Sequence, residues 1–124
     1  MENLNAILKD MNFEFFGSGS HSMNVDVMAQ KVHADNVILL DVRTDKEVEY
    51  VRFPFAKHIP LNELPDRLGE LPKEKLIVPF CSSEFRGVIA YTYLLAQGYE
   101  NVRALSASME DMIKKFKPGP LAKA

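Results

Sequence analysis

Apolar positions along this chain recur at two spacings, and the spacing switches repeatedly. Leu4, Ile7, Leu8 and Met11 stand at helical intervals and predict a short helix over residues 2–11. Phe13-Glu14-Phe15-Phe16 reads as a strand, and Gly17-Ser18-Gly19-Ser20 as a loop. Asn24 is placed to cap a helix with Val25, Met28, Ala29 and Val32 on one face. Val37-Ile38-Leu39-Leu40 is a continuous apolar run, the mark of a strand covered on both faces. Thr44-Asp45-Lys46-Glu47 has the form of a capping box and starts another helix. Pro54 and Pro60 bracket a short strand, Phe55 to Ile59, and a brief helix over 62–70 carries Leu64 and Leu68.

The second half repeats the alternation. Leu76-Ile77-Val78-Pro79-Phe80 reads as a buried strand, and residues 86–97 as a helix stopped by Gly98. This helix is apolar nearly all round, which predicts that it is well buried. Asn101 to Leu105 form a last short strand. Ser108 caps a final helix whose Met109, Met112, Ile113 and Phe116 face inward, and Pro118-Gly119-Pro120 ends it. Strands alternating with helices over short connections predict an α/β fold: a mostly parallel central sheet of about five strands with helices on both faces. Ligands of such sheets bind beyond the carboxyl ends of the strands, where Asp41 and Cys81 stand. Pro79 removes a ladder N–H from a strand expected to be central, and a bulge before residue 81 would be one accommodation.

With 124 residues and 47% hydrophobic content, the chain is long enough for one cored domain. A net charge of −2 disfavours nucleic acid and anionic membrane as partners. No apolar run is long enough to span a bilayer, and the N-terminus lacks the basic and apolar regions of a signal peptide. The single cysteine fits a reducing cytoplasm and leaves no resolving thiol within the chain. His21, His33 and His58 are widely spaced, form no metal-ligand pattern and are expected to be surface or satisfied residues; no metal or cofactor is called for. Phe13, Phe15 and Phe16 are expected to pack on the sheet.

Cys81 carries the chemistry. It lies between a strand and a helix, in the partial positive charge of the helix N-terminus. That field favours a thiolate and any anion held on free backbone N–H groups of the turn. Cys81-Ser82-Ser83-Glu84-Phe85-Arg86, closed by Gly87, is therefore a candidate anion-binding loop with Cys81 as its nucleophile. Arg86 sits where a cation opposes the helix dipole, which points to an anion-facing or ion-pairing role. Asp41 and Arg43 are expected to act around the site as an ion pair or cap anchoring the first strand–helix turn.

Four segments in order resemble the rhodanese family. Leu39-Leu40-Asp41-Val42-Arg43-Thr44 with Glu47 is similar to its LIDVR-x-x-x-E opening. Phe53-Pro54-Phe55-Ala56-Lys57-His58-Ile59-Pro60-Leu61 is similar to IPGAINIPL. Cys81 and Arg86 keep the family's C-x4-R spacing, and Gly98-Tyr99-Glu100-Asn101-Val102 is similar to GF-x-NV. The resemblance implies a domain over 23–117, with an N-terminal extension (1–22) and a loose C-terminal tail (118–124). It also implies sulfur transfer: Cys81 takes a sulfane sulfur from thiosulfate or a polysulfide or persulfide donor and passes it to cyanide, a thiol or a protein acceptor. The alternative is a non-catalytic rhodanese-like module that binds a partner or senses redox state. The oligomeric state is not legible.

The loop departs from the family's C-R-S-G-x-R. Ser82 replaces the first arginine and Glu84 stands at the glycine position. A carboxylate about 5 Å from a bound anion costs roughly 3 kcal/mol at an effective dielectric near 20, before screening. Thiosulfate is therefore expected to bind weakly unless Glu84 points away, and the loop is expected to be strained at Glu84. Dual-specificity and arsenate-reducing phosphatases need a C-x5-R loop, one residue longer than this one. Ala107-Ser108 and Met112 stand where the family usually has a glycine pair and a tryptophan.

Overall fold

The structure, a computed structural model, describes residues 2–116. The expected proline stop at 118–120 and the 118–124 tail lie outside these residues. Among the described residues five strands are present: β1 (Ser22–Asn24), β2 (Val37–Asp41), β3 (Lys57–His58), β4 (Leu76–Phe80) and β5 (Ala104–Ser106). All pair in parallel, in a three-stranded piece ordered β3-β2-β4 and a two-stranded piece, β1-β5. A single bridge from Ile77 to Val102 joins the two pieces.

Six α-helices accompany the strands among the described residues: α1 (Glu2–Asp10), α2 (Phe13–Gly17), α3 (Val25–Ala29), α4 (Asp45–Tyr50), α5 (Phe85–Ala96) and α6 (Met109–Lys115). The caps read from sequence are in place. Asn24 Oδ1 accepts from Val27 N at 2.9 Å, and Thr44/Glu47 and Ser108/Asp111 both form capping boxes. α5 ends at Gly98, whose φ of +88° suits glycine. Gly98 N donates to Leu95 O and Tyr99 N to Leu94 O, the paired bonds of a Schellman stop.

Alternation along the strands divides the core between two faces. Ile77 and Leu40 pack with Ala90, Tyr91 and Leu94 of α5, while Val78, Phe80 and Leu39 pack with Met28, Phe53 and Met112. The β2–β4 register runs unbroken from Val37 opposite Leu76 to Asp41 opposite Phe80, so a bulge at Pro79 is not needed. Leu76 N donates to Asn36 O and Val42 N to Phe80 O, so even-numbered β4 residues turn their backbone to β2. Ile77 faces the other way, receiving from Arg103 N and donating to Asn101 O. Pro79 shares that orientation beyond the last bridge, where no ladder N–H is required.

Several expectations fail at particular elements. Phe13–Phe16 is a helix, because Asn12 Oδ1 caps it by accepting from Phe15 N at 3.0 Å. Phe15 packs on the core, but Phe13 is 80% exposed. α5 is buried on one face only, since it lies in an outer layer; Phe85, Val88 and Ile89 are exposed, as is Ile113 of α6. The expected helix over 62–70 is two 3-10 segments, Leu61–Asp66 and Leu68–Glu70, the first containing Pro65. His21, stacked on Phe15, has a buried Nδ1 without a partner rather than a satisfied or surface ring.

Candidate active site

The carboxyl ends of β2 and β4 lie side by side, so the turns that follow them are neighbours. After β2, Asp41 and Arg43 are each only 2% exposed and bind one another. Asp41 Oδ2 receives Arg43 Nη2 at 2.7 Å, and Oδ1 receives both Arg43 N and Nε at 3.0 Å. Arg43 Nη2 also donates to Val51 O at 2.7 Å, and the guanidinium lies over Phe53, 5.2 Å from the ring centre. His58 Nε2 meets Arg43 O at 2.7 Å. This pair spends its polar atoms on folding the 41–58 segment rather than on the neighbouring turn.

After β4 comes Cys81, 1% exposed, whose Sγ donates to Ser83 O at 3.0 Å. The loop then enters α5 with Glu84 at the N-cap, at φ −99° and ψ −18°. That is ordinary right-handed backbone, so the strain expected at Glu84 is absent. The Glu84 carboxylate accepts from Ser106 Oγ at 3.4 Å, on β5, and provides no side-chain cap. Gly87 is buried beneath the loop, where a Cβ would come within 3.2 Å of Phe80 Cα and 3.3 Å of Pro79 O. A glycine lets the first turn of α5 settle directly on β4.

The loop's backbone is polarised. Ser82 O accepts from Met109 N at 2.9 Å, Ser83 O from the thiol, and Glu84 O from Val88 N at 2.9 Å. Among the described residues, no acceptor meets the backbone N–H of any residue from Ser82 to Gly87. Free N–H groups at a helix N-terminus are the elements of an anion site. Such a site beside a thiol suits a reaction that places negative charge on sulfur.

Arg86 does not stand free. Its Nη1 donates to Glu47 Oε1 at 2.6 Å, and its Nη2 to Glu47 Oε2 and to Ser82 Oγ, each at 2.9 Å. This bond to Arg86 first, helped by those from Thr44, lowers the Glu47 carboxyl to about 2. In return Glu47 first, and then the Cys81 sulfur, raise the guanidinium above its usual value. Glu47 is the residue that sequence reasoning underused. Its place in the capping box was legible, but its partner 39 residues away was not. Ser106 and the Met109 amide were likewise not anticipated, because only the tertiary fold brings β5 and α6 to the loop. His33 and His58 join no metal site: among the described residues, no cluster of His, Cys, Asp or Glu is arranged to hold an ion. No helix among them is long and apolar enough to cross a membrane.

Comparison with known proteins agrees with this architecture. A Rhodanese-like domain model matches residues 24–115. A protein of Allochromatium vinosum described as a sulfurtransferase is 37% identical over 68 residues, which is 55% of this chain and 64% of that protein. This chain thus spans just under two thirds of that relative's length. The putative sulfurtransferase YtwF of Bacillus subtilis is 34% identical over 83 residues, covering 66% of this chain and 81% of its own. Among solved structures, the single-domain sulfurtransferase RDL2 of Saccharomyces cerevisiae superposes with a TM-score of 0.61 at 26% identity, covering 76% of this chain and 89% of that one. With the parallel strands, the cysteine at the end of β4 and the match over 24–115, the chain belongs to the rhodanese-like domain family.

Proposed function

We propose that the protein is a rhodanese-type sulfurtransferase in which Cys81 is the nucleophile and persulfide carrier. The observation that carries this reading is the buried Cys81 sulfur beside a loop whose N–H groups are unpaired from Ser82 to Gly87. The names of the A. vinosum, B. subtilis and yeast relatives support it.

In the first half-reaction the Cys81 thiol releases its proton to solvent. The thiolate attacks the outer sulfur of thiosulfate; a Cys81 S–S bond forms, the donor's S–S bond breaks, and sulfite leaves with the electron pair. With an alkyl persulfide donor the leaving group is the alkyl thiolate. In the second half-reaction a thiolate or cyanide attacks the outer sulfur of the Cys81 persulfide and regenerates the thiolate. This is covalent catalysis in two transfers, with the N–H groups of Ser82, Ser83, Glu84, Phe85, Arg86 and Gly87 stabilising the persulfide anion. Arg86 orders the loop through Glu47 and Ser82, and Asp41 with Arg43 fixes the adjacent turn. With one cysteine in the chain, sulfur leaves to an external acceptor, a small thiol or a protein thiol, in a reducing compartment such as the cytoplasm.

A second reading draws on the same sulfur. Its near-complete burial and its bond to the Ser83 carbonyl also suit a non-catalytic or redox-sensing module. Intact mass after incubation with thiosulfate, and separately with polysulfide, decides between them. The transfer reading expects a gain of one sulfur atom, removed by cyanide and absent in Cys81→Ala. No gain with either donor leaves the module reading.

A further inference from the structure

Two half-buried cations of this chain differ from the others in what they lack. Arg43, Arg67 and Arg86 each meet a carboxylate, as do Lys57 and Lys115. Among the described residues, Lys31 and Arg103 meet none, although neither is fully exposed. Both line one open cleft of about 630 Å³ between α3, β1 and the approach to β5. No carboxylate lines it: Asp26, the acidic residue of α3, is paired with Lys115 at 2.8 Å. Arg103 Nη1 donates to Ser22 O at 3.2 Å, and the rest of its guanidinium has no acceptor among the described residues. Ser22, Asn24, Asn101 and Ser106 add neutral polar groups to the walls. We infer that this cleft is a binding site for a small, multiply charged organic anion with a polar body, a phosphate ester or a polycarboxylate.

Two cations in one cleft without a counter-charge create a local positive potential in a chain whose net charge is −2. A guanidinium offers paired N–H groups that match carboxylate and phosphate oxygens, and an ammonium adds a point charge beside them. The fold holds both side chains at their roots. Arg103 N donates to Ile77 O at 3.1 Å, Asn101 O accepts from Ile77 N at 3.0 Å, and Lys31 N donates to Met28 O at 2.9 Å. Fixing the backbone in advance lowers the ordering cost of binding. The volume exceeds what an inorganic ion fills and falls in the range of about 300–1,000 Å³ usual for small-molecule sites. None of residues 81–87 lines the cleft. Ser106 connects it to the cysteine loop, its Oγ donating to Glu84 Oε1 at 3.4 Å. Occupancy of the cleft is therefore independent of any chemistry at Cys81.

The test is a titration of the full chain, labelled with nitrogen-15, followed by the shifts of its backbone amides. The probes are glucose 6-phosphate, citrate and, as a neutral control, glucose. Saturable shifts at Ser22, Lys31, Asn101 and Arg103 are expected with an anion and not with glucose. Binding of glucose 6-phosphate points to a phosphate source of the charge, and binding of citrate to a carboxylate source. Lys31→Gln removes a charge whose side chain makes no hydrogen bond among the described residues, so its folding is not at stake. It should raise Kd by about tenfold, the scale of one charge-assisted bond. Arg103→Gln keeps a donor for Ser22 O and should raise Kd by a similar factor. An unchanged Kd in either variant would overturn the proposal. So would equal binding of glucose, an absence of saturable shifts with both anions, or shifts confined to residues 82–87, which would place the anion on the cysteine loop instead.

Discussion

Gly87 is the position where the fold of the loop can be probed with a single methyl group. It is the third residue of α5, and a Cβ there would stand 3.2 Å from Phe80 Cα and 3.3 Å from Pro79 O. Carbon atoms at their optimum are about 3.5–4.0 Å apart, so an alanine intrudes by a few tenths of an ångström. What it meets is not a flexible side chain. Both atoms belong to the backbone of β4, which is held in register against β2 along its whole length. The helix must therefore lift, or the strand must yield.

Two terms compete in Gly87→Ala. Overpacking costs about 1–3 kcal/mol. Replacing glycine by alanine in a helix returns up to about 1 kcal/mol, and less in a first turn where intrahelical bonds are incomplete. The balance is a net destabilisation of about 1 kcal/mol. In urea, with a slope of about 1–3 kcal/mol per molar, the unfolding midpoint should fall by several tenths of a molar to about 1 M. Lifting α5 also opens the ground above Cys81, so alkylation of its thiol by a neutral reagent should accelerate. A midpoint equal to or above that of the wild type would refute the reasoning, because it would show that β4 accommodates the methyl group and that glycine is not required for the close approach.

The other predictions concern buried and exposed charge. Asp41→Asn leaves Arg43 buried without its counter-charge and should cost about 3 kcal/mol in urea unfolding, whereas Asp41→Asn combined with Arg43→Met should cost less than the single change. Glu47 and Glu70 are both lowered to about 2, Glu47 chiefly by Arg86 and Glu70 chiefly by Arg67 with help from Lys57. Because their folded values lie below the ordinary 4.5, their contribution is complete above that pH and is lost as pH falls toward 2. Unfolding midpoints should therefore drop between about pH 5 and about pH 3, and Glu47→Gln should flatten that slope; an unchanged slope would show that Glu47 gains nothing from Arg86 in the folded state.

Local signals in the sequence translated well into structure. Asn24, Thr44 and Ser108 each cap the helix expected of them, because a cap needs only residues three apart. Val37–Leu40 and Leu76–Phe80 are strands because each run is covered on both faces. The failures are those where a short-range pattern meets a longer-range decision. Phe13–Phe16 has strand-like composition, yet Asn12 and the seat of Phe15 on the core make it a helix. β1 is three residues long and exists only because β5 offers an edge; the expected strand at 101–105 appears further on, at 104–106, for the same reason. In the candidate site, the placement of Cys81 and its loop between β4 and α5 could be read from spacing alone. The tie from Arg86 to Glu47 could not, since nothing local in either segment names the other.

The hydrogen bonds of the loop explain why so much of the fold is spent on six residues. Three of its carbonyls are supplied: Ser82 O by the first amide of α6, Ser83 O by the Cys81 thiol, Glu84 O by Val88 N. Its N–H groups are left without acceptors among the described residues. A loop in which these carbonyls are engaged and the N–H groups are not presents a fixed positive pole, and in a water-poor site such a pole needs no reorganisation when negative charge arrives. The arrangement also sets a cost. Ionising Cys81 deprives Ser83 O of its donor, so the free N–H groups must offset one lost bond before the thiolate gains anything. That balance is held by groups far apart in the chain: Glu47 on Arg86, Met109 on Ser82 and Gly87 against β4. Each restrains the backbone without occupying an N–H, which leaves every donor of the loop available to the sulfur.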